Sequence, residues 1–61
     1  MPHVRVELLK GRTEDQKAAM AEAITEALVK HGNATPQNVS IVFDDVEKSD
    51  WATAGKLNSR K

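Results

Sequence analysis

Apolar and polar residues alternate strictly through "HVRVEL" near the start of the chain, and then the period changes. Val4, Val6 and Leu8 fall on one side; His3, Arg5 and Glu7 fall on the other. Period two predicts a half-buried strand over about 3–9. "KGRT" breaks the alternation, and Thr13 with Gln16 three residues on has capping-box spacing. Glu14 and Asp15 stand where a helix dipole favours acids. Met20, Ile24, Ala27, Leu28 and His31 then recur at three-and-four spacing. Glu26 and Lys30 form an i,i+4 pair in the favourable order. The spacing predicts a helix to about His31, with Gly32 as its C′ residue. "NATPQN" is a connector in which Thr35-Pro36 can open a short helical turn. "VSIVFDD" predicts a second strand over about 38–45, with Val39, Ile41 and Phe43 on one face. The remainder, "VEKSDWATAGKLNSRK", is polar and reads as a loop with a short hairpin.

Strand, helix, strand in that order allows the two strands to run parallel, because a helix is a long enough crossover. The fold class is α/β (α+β): a β-α-β subunit with a short C-terminal hairpin, read as a single domain over residues 1–61. One helix covers one sheet face. Leu9 and Val42 lie opposite their strands' main apolar rows, so the second face also carries apolar material. Two strands also leave open edges.

Length sharpens this point. A domain of 61 residues buries only about 60% of its unfolded surface, and small domains offset that with disulfides, metals or assembly. The chain has no cysteine, which excludes disulfides and thiolate metal sites. His3 and His31 have no ligand-like spacing. Oligomerisation is the expected remedy.

Charge adds exclusions. Nine Lys/Arg balance nine Asp/Glu, which argues against a nucleic-acid partner. No apolar run approaches membrane-spanning length. Alternation begins too early for a signal peptide, and a cysteine-free chain fits a cytoplasmic setting. "DDVEKSD" holds four acids within residues 44–50 and reads as a solvated loop; Lys56, Arg60 and Lys61 read as a solvated basic tail.

Pro2 raises the chemical question. Proline suits a strand's first residue because it lacks an N–H. A small second residue also favours removal of the initiator methionine, and that would leave a free secondary amine. An α-amino group starts near about 7.7–8.0. An apolar pocket or a neighbouring guanidinium disfavours its charged form, which suits a general base at neutral pH.

Pro2, the first strand, "LLKGRTEDQK", the helix, "VSIVFDDV" and the glycine-containing tail together resemble the 4-oxalocrotonate tautomerase family. The resemblance covers nearly the whole chain, and Pro2 and "GRTEDQK" at 11–17 are its most specific parts. It implies strands joined across subunits into dimers with a four-stranded sheet, commonly assembled as hexamers. It also implies a cofactor-free enzyme acting on enols and α-keto acids, such as 2-hydroxymuconate.

The resemblance implies roles for four residues. Pro2 matches the amino-terminal base, and Arg12 matches an arginine that binds a substrate carboxylate. Trp51 takes the place of an aromatic that walls the site. Ser40 stands where a second arginine is usual, so the chain departs from the pattern there. One guanidinium in place of two suits a monocarboxylate or a weaker grip on a diacid. Arg5 or His3 could supply the lost donor, although a plain sheet residue is the simpler reading of His3, and a dipole-complementing helix end that of His31. Two rival functions stand beside this one: hydratase, dehalogenase or decarboxylase chemistry on the same scaffold, and a non-catalytic oligomeric binding module.

Overall fold

The computed structural model describes residues 2–61. The question of methionine removal therefore lies outside the described residues. β1 spans His3–Leu9, α1 spans Glu14–Gly32 and β2 spans Ser40–Val46. β1 and β2 pair in parallel, from His3 opposite Ser40 to Leu9 opposite Val46. Main-chain bonds extend the ladder past both ends: the Ser40 amide donates to the Pro2 carbonyl at 3.1 Å, and the Lys10 amide to the Val46 carbonyl at 2.9 Å. A two-residue-per-strand hairpin follows, β3 at Ala52–Thr53 and β4 at Lys56–Leu57. This is the β-α-β unit with a C-terminal hairpin that the pattern predicts.

The register sorts the side chains. Val4, Val6 and Leu8 share a face with Ile41, Phe43 and Asp45. Lys17 of α1 reaches Asp45 in an ion pair, so the helix lies over this face. The other face carries His3, Arg5, Glu7 and Leu9 beside Ser40, Val42, Asp44 and Val46. No helix among the described residues covers it, and Val42 is 43% exposed.

The capping box forms as its spacing predicts. The Gln16 amide donates to Thr13 Oγ1 at 3.1 Å, and the Thr13 amide donates to Gln16 Oε1 at 2.8 Å. The other end differs from expectation. The helix runs through Gly32, and the residue that turns the chain is Asn33, at φ 56° and ψ 32°. Asparagine tolerates this left-handed conformation better than most side chains do, so glycine is not needed there. The inward stripe is also rotated. Met20, Ile24 and Leu28 are half-buried together with Ala21, Thr25 and Val29, whereas Ala27 and His31 are exposed.

Pro36–Asn38 form the expected short helical turn, so the second strand begins two residues later than its apolar pattern suggests and ends at Val46. The acidic run is largely exposed, as expected, but its first half is strand and not loop. Asp44 and Asp45 belong to β2. Asp44 pairs with Arg5 at 2.7 Å, Asp45 with Lys17, and Glu47 with Lys10 at 3.0 Å. At such exposure each pair contributes about 0.2–1 kcal/mol.

The subunit is an open slab. A compact chain of this length has a radius of gyration of about 10.5 Å, whereas this one measures 14.5 Å, with extents of 42 × 24 × 14 Å. Among the described residues, no side chain is fully buried. A core that is everywhere half-covered is what the length argument anticipates for a chain that completes itself against another.

Candidate active site

The four candidate residues do not meet within one subunit. Pro2 sits half-buried at the head of β1, its carbonyl held by the Ser40 amide. Ser40, the first residue of β2, lies across from His3. The Ser40 Oγ is 2.8 Å from His3 Nδ1. Pro2, His3 and Ser40 thus form one cluster at the amino-terminal end of the sheet.

Arg12 and Trp51 stand at the opposite end. β1 is seven residues long, so Pro2 and Leu9 are about 23 Å apart at the usual strand rise. Arg12 follows Gly11, whose φ of 141° turns the chain out of the strand, and precedes the helix N-cap Thr13. One Nη1–H donates to the Leu9 carbonyl at 3.2 Å. A guanidinium has five N–H donors in a fixed fork. Anchoring one to the strand end fixes the plane and leaves the rest for a carboxylate. Arg12 makes no ion pair among the described residues.

Trp51 follows a short turn at Lys48–Asp50, and its carbonyl accepts the Asn58 amide at 2.8 Å, which ties the hairpin's two ends together. A shallow cavity of about 270 Å³ opens beside it, lined by Glu7, Val46, Asp50, Trp51 and Ala52. Val46 is the register partner of Leu9, to which Arg12 is anchored. The guanidinium and the indole therefore belong to one end of the sheet.

The two residues considered as substitutes for a second arginine separate. Arg5 is committed to Asp44 midway along the outer face. His3 stands beside Pro2 and bonds Ser40. The sequence places His3 next to Pro2, but the hydroxyl it meets lies 37 residues away, and only the strand register brings them together. Among the described residues there is no cluster of side chains suited to hold a metal ion.

The family model described as "Tautomerase enzyme" matches residues 2–60, from the proline at the head of β1 to the end of the hairpin segment. The chain belongs to the tautomerase family. Its relatives match over most of its length. A probable tautomerase of Ralstonia nicotianae is 42% identical over 57 residues, covering 93% of this chain and 88% of that protein. The 2-hydroxymuconate tautomerase of Comamonas testosteroni is 42% identical over 55 residues, covering 90% and 87%. Among solved structures, YwhB, a homologue of 4-oxalocrotonate tautomerase, superposes with a TM-score of 0.95 at 33% identity and covers 98% of both chains. A heterohexameric 4-oxalocrotonate tautomerase from Chloroflexus aurantiacus has a TM-score of 0.91 at 25% identity, covering 97% of this chain and 95% of that one. In this family's fold the β-α-β unit and the small hairpin recur together, as they do here.

No helix among the described residues is long and apolar enough to cross a membrane.

Proposed function

We propose that the protein is a cofactor-free tautomerase that moves a proton on an enol or α-keto acid, a small carboxylate such as 2-hydroxymuconate, with Pro2 as its amino-terminal base. The observation that carries this reading is Pro2 at the head of β1, in a chain matched by the family from that residue onward. Methionine removal turns the Pro2 nitrogen from an amide, which has no basic lone pair, into a secondary amine. The amine takes the hydroxyl proton of the enol and returns it to carbon, so the substrate is isomerised and the base is regenerated.

The site is shared between subunits. Pro2 and Arg12 stand at opposite ends of one strand, so no single subunit brings base and guanidinium together. Antiparallel pairing of two β1 edges about a two-fold axis places the head of one strand beside the tail of the other. Arg12 of the partner subunit then grips the substrate carboxylate next to Pro2, and Trp51 of the partner subunit supplies an apolar wall. The same pairing covers an open sheet edge. The uncovered outer face, with Leu9, Val42 and Val46, offers a further contact through which such dimers assemble, with a hexamer as the expected assembly. The single domain spans the chain, and the cytoplasm is its expected setting.

Intact mass of the purified protein and ketonisation of 2-hydroxymuconate and phenylenolpyruvate test this reading. Loss of one methionine, with turnover that disappears in Pro2→Ala, is the expected result. Equal rates for wild type and Pro2→Ala end the base assignment.

A further inference from the structure

The outer sheet face is one uncovered surface, and a flank of α1 is another. Ala21, Thr25 and Val29 recur every fourth residue, so they stand one above the other along the helix. Each is half-buried. With Pro36, which opens the turn into β2, they floor a groove of about 520 Å³. Glu22 and Glu26, one position further round the helix, also line it and are exposed. The groove thus has an apolar floor and an acidic rim. Neither glutamate is committed within the subunit. The ion pairs among the described residues are Arg5–Asp44, Lys10–Glu47 and Lys17–Asp45. Glu26 makes none with Lys30, the partner that its i,i+4 spacing offers.

The complementary chemistry sits on the same chain. Charge balances overall, but residues 56–61 hold Lys56, Arg60 and Lys61 and no acid. These three cations are exposed, and Leu57 among them is half-buried. None of the three takes part in an ion pair among the described residues. An apolar residue flanked by cations matches an apolar floor rimmed by acids. Such rim charges set which partner docks, and in which register, more than how tightly it is held.

Groove and tail lie apart in one subunit. α1 runs back from the carboxy-terminal end of the sheet to the amino-terminal end, where Pro36 leads into β2. The tail follows β2 and stays at the carboxy-terminal end, the Asn58 amide bonded to the Trp51 carbonyl. The molecule is 42 Å long. A tail that fills the groove therefore comes from another copy. Because the two surfaces differ, their contact is heterologous, and such contacts close into a ring or run on as a filament. Two-fold pairing through β1 gives each dimer two grooves and two tails, and a closed ring of dimers matches every groove with a tail.

We propose that the acid-rimmed groove on α1 is the docking site for the basic C-terminal tail of a second copy in a neighbouring dimer, selected by pairing of Glu22 and Glu26 with Lys56 and Arg60. The inference goes beyond the tautomerase reading, since the contact joins dimers whether or not Pro2 is the base.

Sedimentation velocity over a dilution series tests the contact. The readout is the protein concentration at which species larger than the dimer make up half of the total, with circular dichroism checking that each variant keeps its helix. Reversing the groove, Glu22→Lys with Glu26→Lys, raises that concentration about tenfold or more, because like charges then meet. Reversing the tail, Lys56→Glu with Arg60→Glu, does the same. All four substitutions in one chain bring it back to within about threefold of wild type, the signature of residues that act as pairs. A wild-type protein that never passes the dimer overturns the proposal, as does wild-type assembly in either reversed protein. A chain with all four substitutions that stays dissociated overturns it as well. If a reversed chain loses its helix, the neutral pairs Glu22→Gln with Glu26→Gln and Lys56→Gln with Arg60→Gln decide. Weaker assembly in both supports the proposal, and wild-type assembly in either overturns it. Pro2→Ala is expected to assemble as wild type does, so a failure of the base assignment and a failure of this contact are read separately.

Discussion

The two ends of the β1–β2 sheet are chemically unlike. The amino-terminal end holds Pro2, an imidazole and a hydroxyl, joined by main-chain and side-chain hydrogen bonds. The carboxy-terminal end holds a guanidinium anchored on a strand carbonyl and an indole beside a shallow cavity. In the proposed reading the first end moves a proton and the second grips a carboxylate, and a strand of fixed length keeps them apart in one subunit. In the proposed dimer, antiparallel pairing of two copies closes a sheet edge and makes two complete sites from four half-sites.

The sharpest way to break this comparison is at the amino-terminal end. Pro2→Ala, which exchanges the constrained secondary amine of the mature terminus for a freely rotating primary one, is expected to reduce kcat about 10²-fold, the lower end of the range for a general base. A fraction that retains its initiator methionine is expected to be inactive, since its proline nitrogen is acylated; chromatographic separation of the two forms, followed by the ketonisation assay, checks this.

The division between subunits can be broken by mixing. Arg12→Ala is expected to raise KM for phenylenolpyruvate by about tenfold to a hundredfold, corresponding to about 1.5–3 kcal/mol for hydrogen bonds to a charged group. When Pro2→Ala and Arg12→Ala proteins are unfolded together and refolded, mixed dimers contain one doubly defective site and one intact site. Activity above that of either variant alone is expected. Activity that never rises above the better variant would place base and guanidinium in the same subunit, against the separation of Pro2 and Arg12 along β1.

Smaller effects sharpen the carboxy-terminal end. Thr13→Ala removes half of the capping box directly after Arg12. A loss of about 1 kcal/mol in chemical denaturation is expected, together with a modest rise in KM as the arginine's loop loosens. The least effect is expected in the hairpin that carries Trp51. Ala54 and Gly55 both have positive φ, 53° and 79°, the geometry of a tight two-residue turn that favours Asn-Gly. Ala54→Asn relieves strain at a non-glycine left-handed residue and is expected to stabilise by about 0.5–1 kcal/mol, read as a shift in the denaturation midpoint, with kcat unchanged.

The elements of the fold were legible because their signals are local. "HVRVEL" shows period two, and Thr13 with Gln16 shows a helix start; both form as written. The misplacements have local causes as well. Gly32 looked like the helix terminator because glycine is the usual left-handed residue, but Asn33 adopts that conformation and the helix continues one residue further. Asn38 and Val39 looked like strand because an apolar run begins there, but the turn begun at Pro36 delays the strand to Ser40. The ion pairs of the acids at 44–47 are not legible in the sequence because their partners Arg5, Lys10 and Lys17 lie 28–39 positions away.

The candidate site was legible as a set of residue types, through resemblance to the family, and not as an arrangement. Pro2 and Arg12 are ten positions apart in the chain and look like neighbours. The strand between them sets them at opposite ends of the sheet. Ser40 looked like a bare departure from the family pattern, since nothing in its neighbours announces the imidazole that meets it.

The sequence by itself determined where strands and helix begin, which faces are apolar, and that one subunit is too small to enclose a core. These follow from periods of 2 and 3.6 residues and from surface-to-volume scaling, which need no knowledge of distant contacts. Only the tertiary structure decided which residues meet. Parallel register set His3 against Ser40 and brought Asp44 within reach of Arg5 on the same face, and an extended strand drove Pro2 and Arg12 apart. Register is a relation through space between segments joined by a nineteen-residue helix and its loops. A shift of one residue would send every one of those side chains to the opposite face.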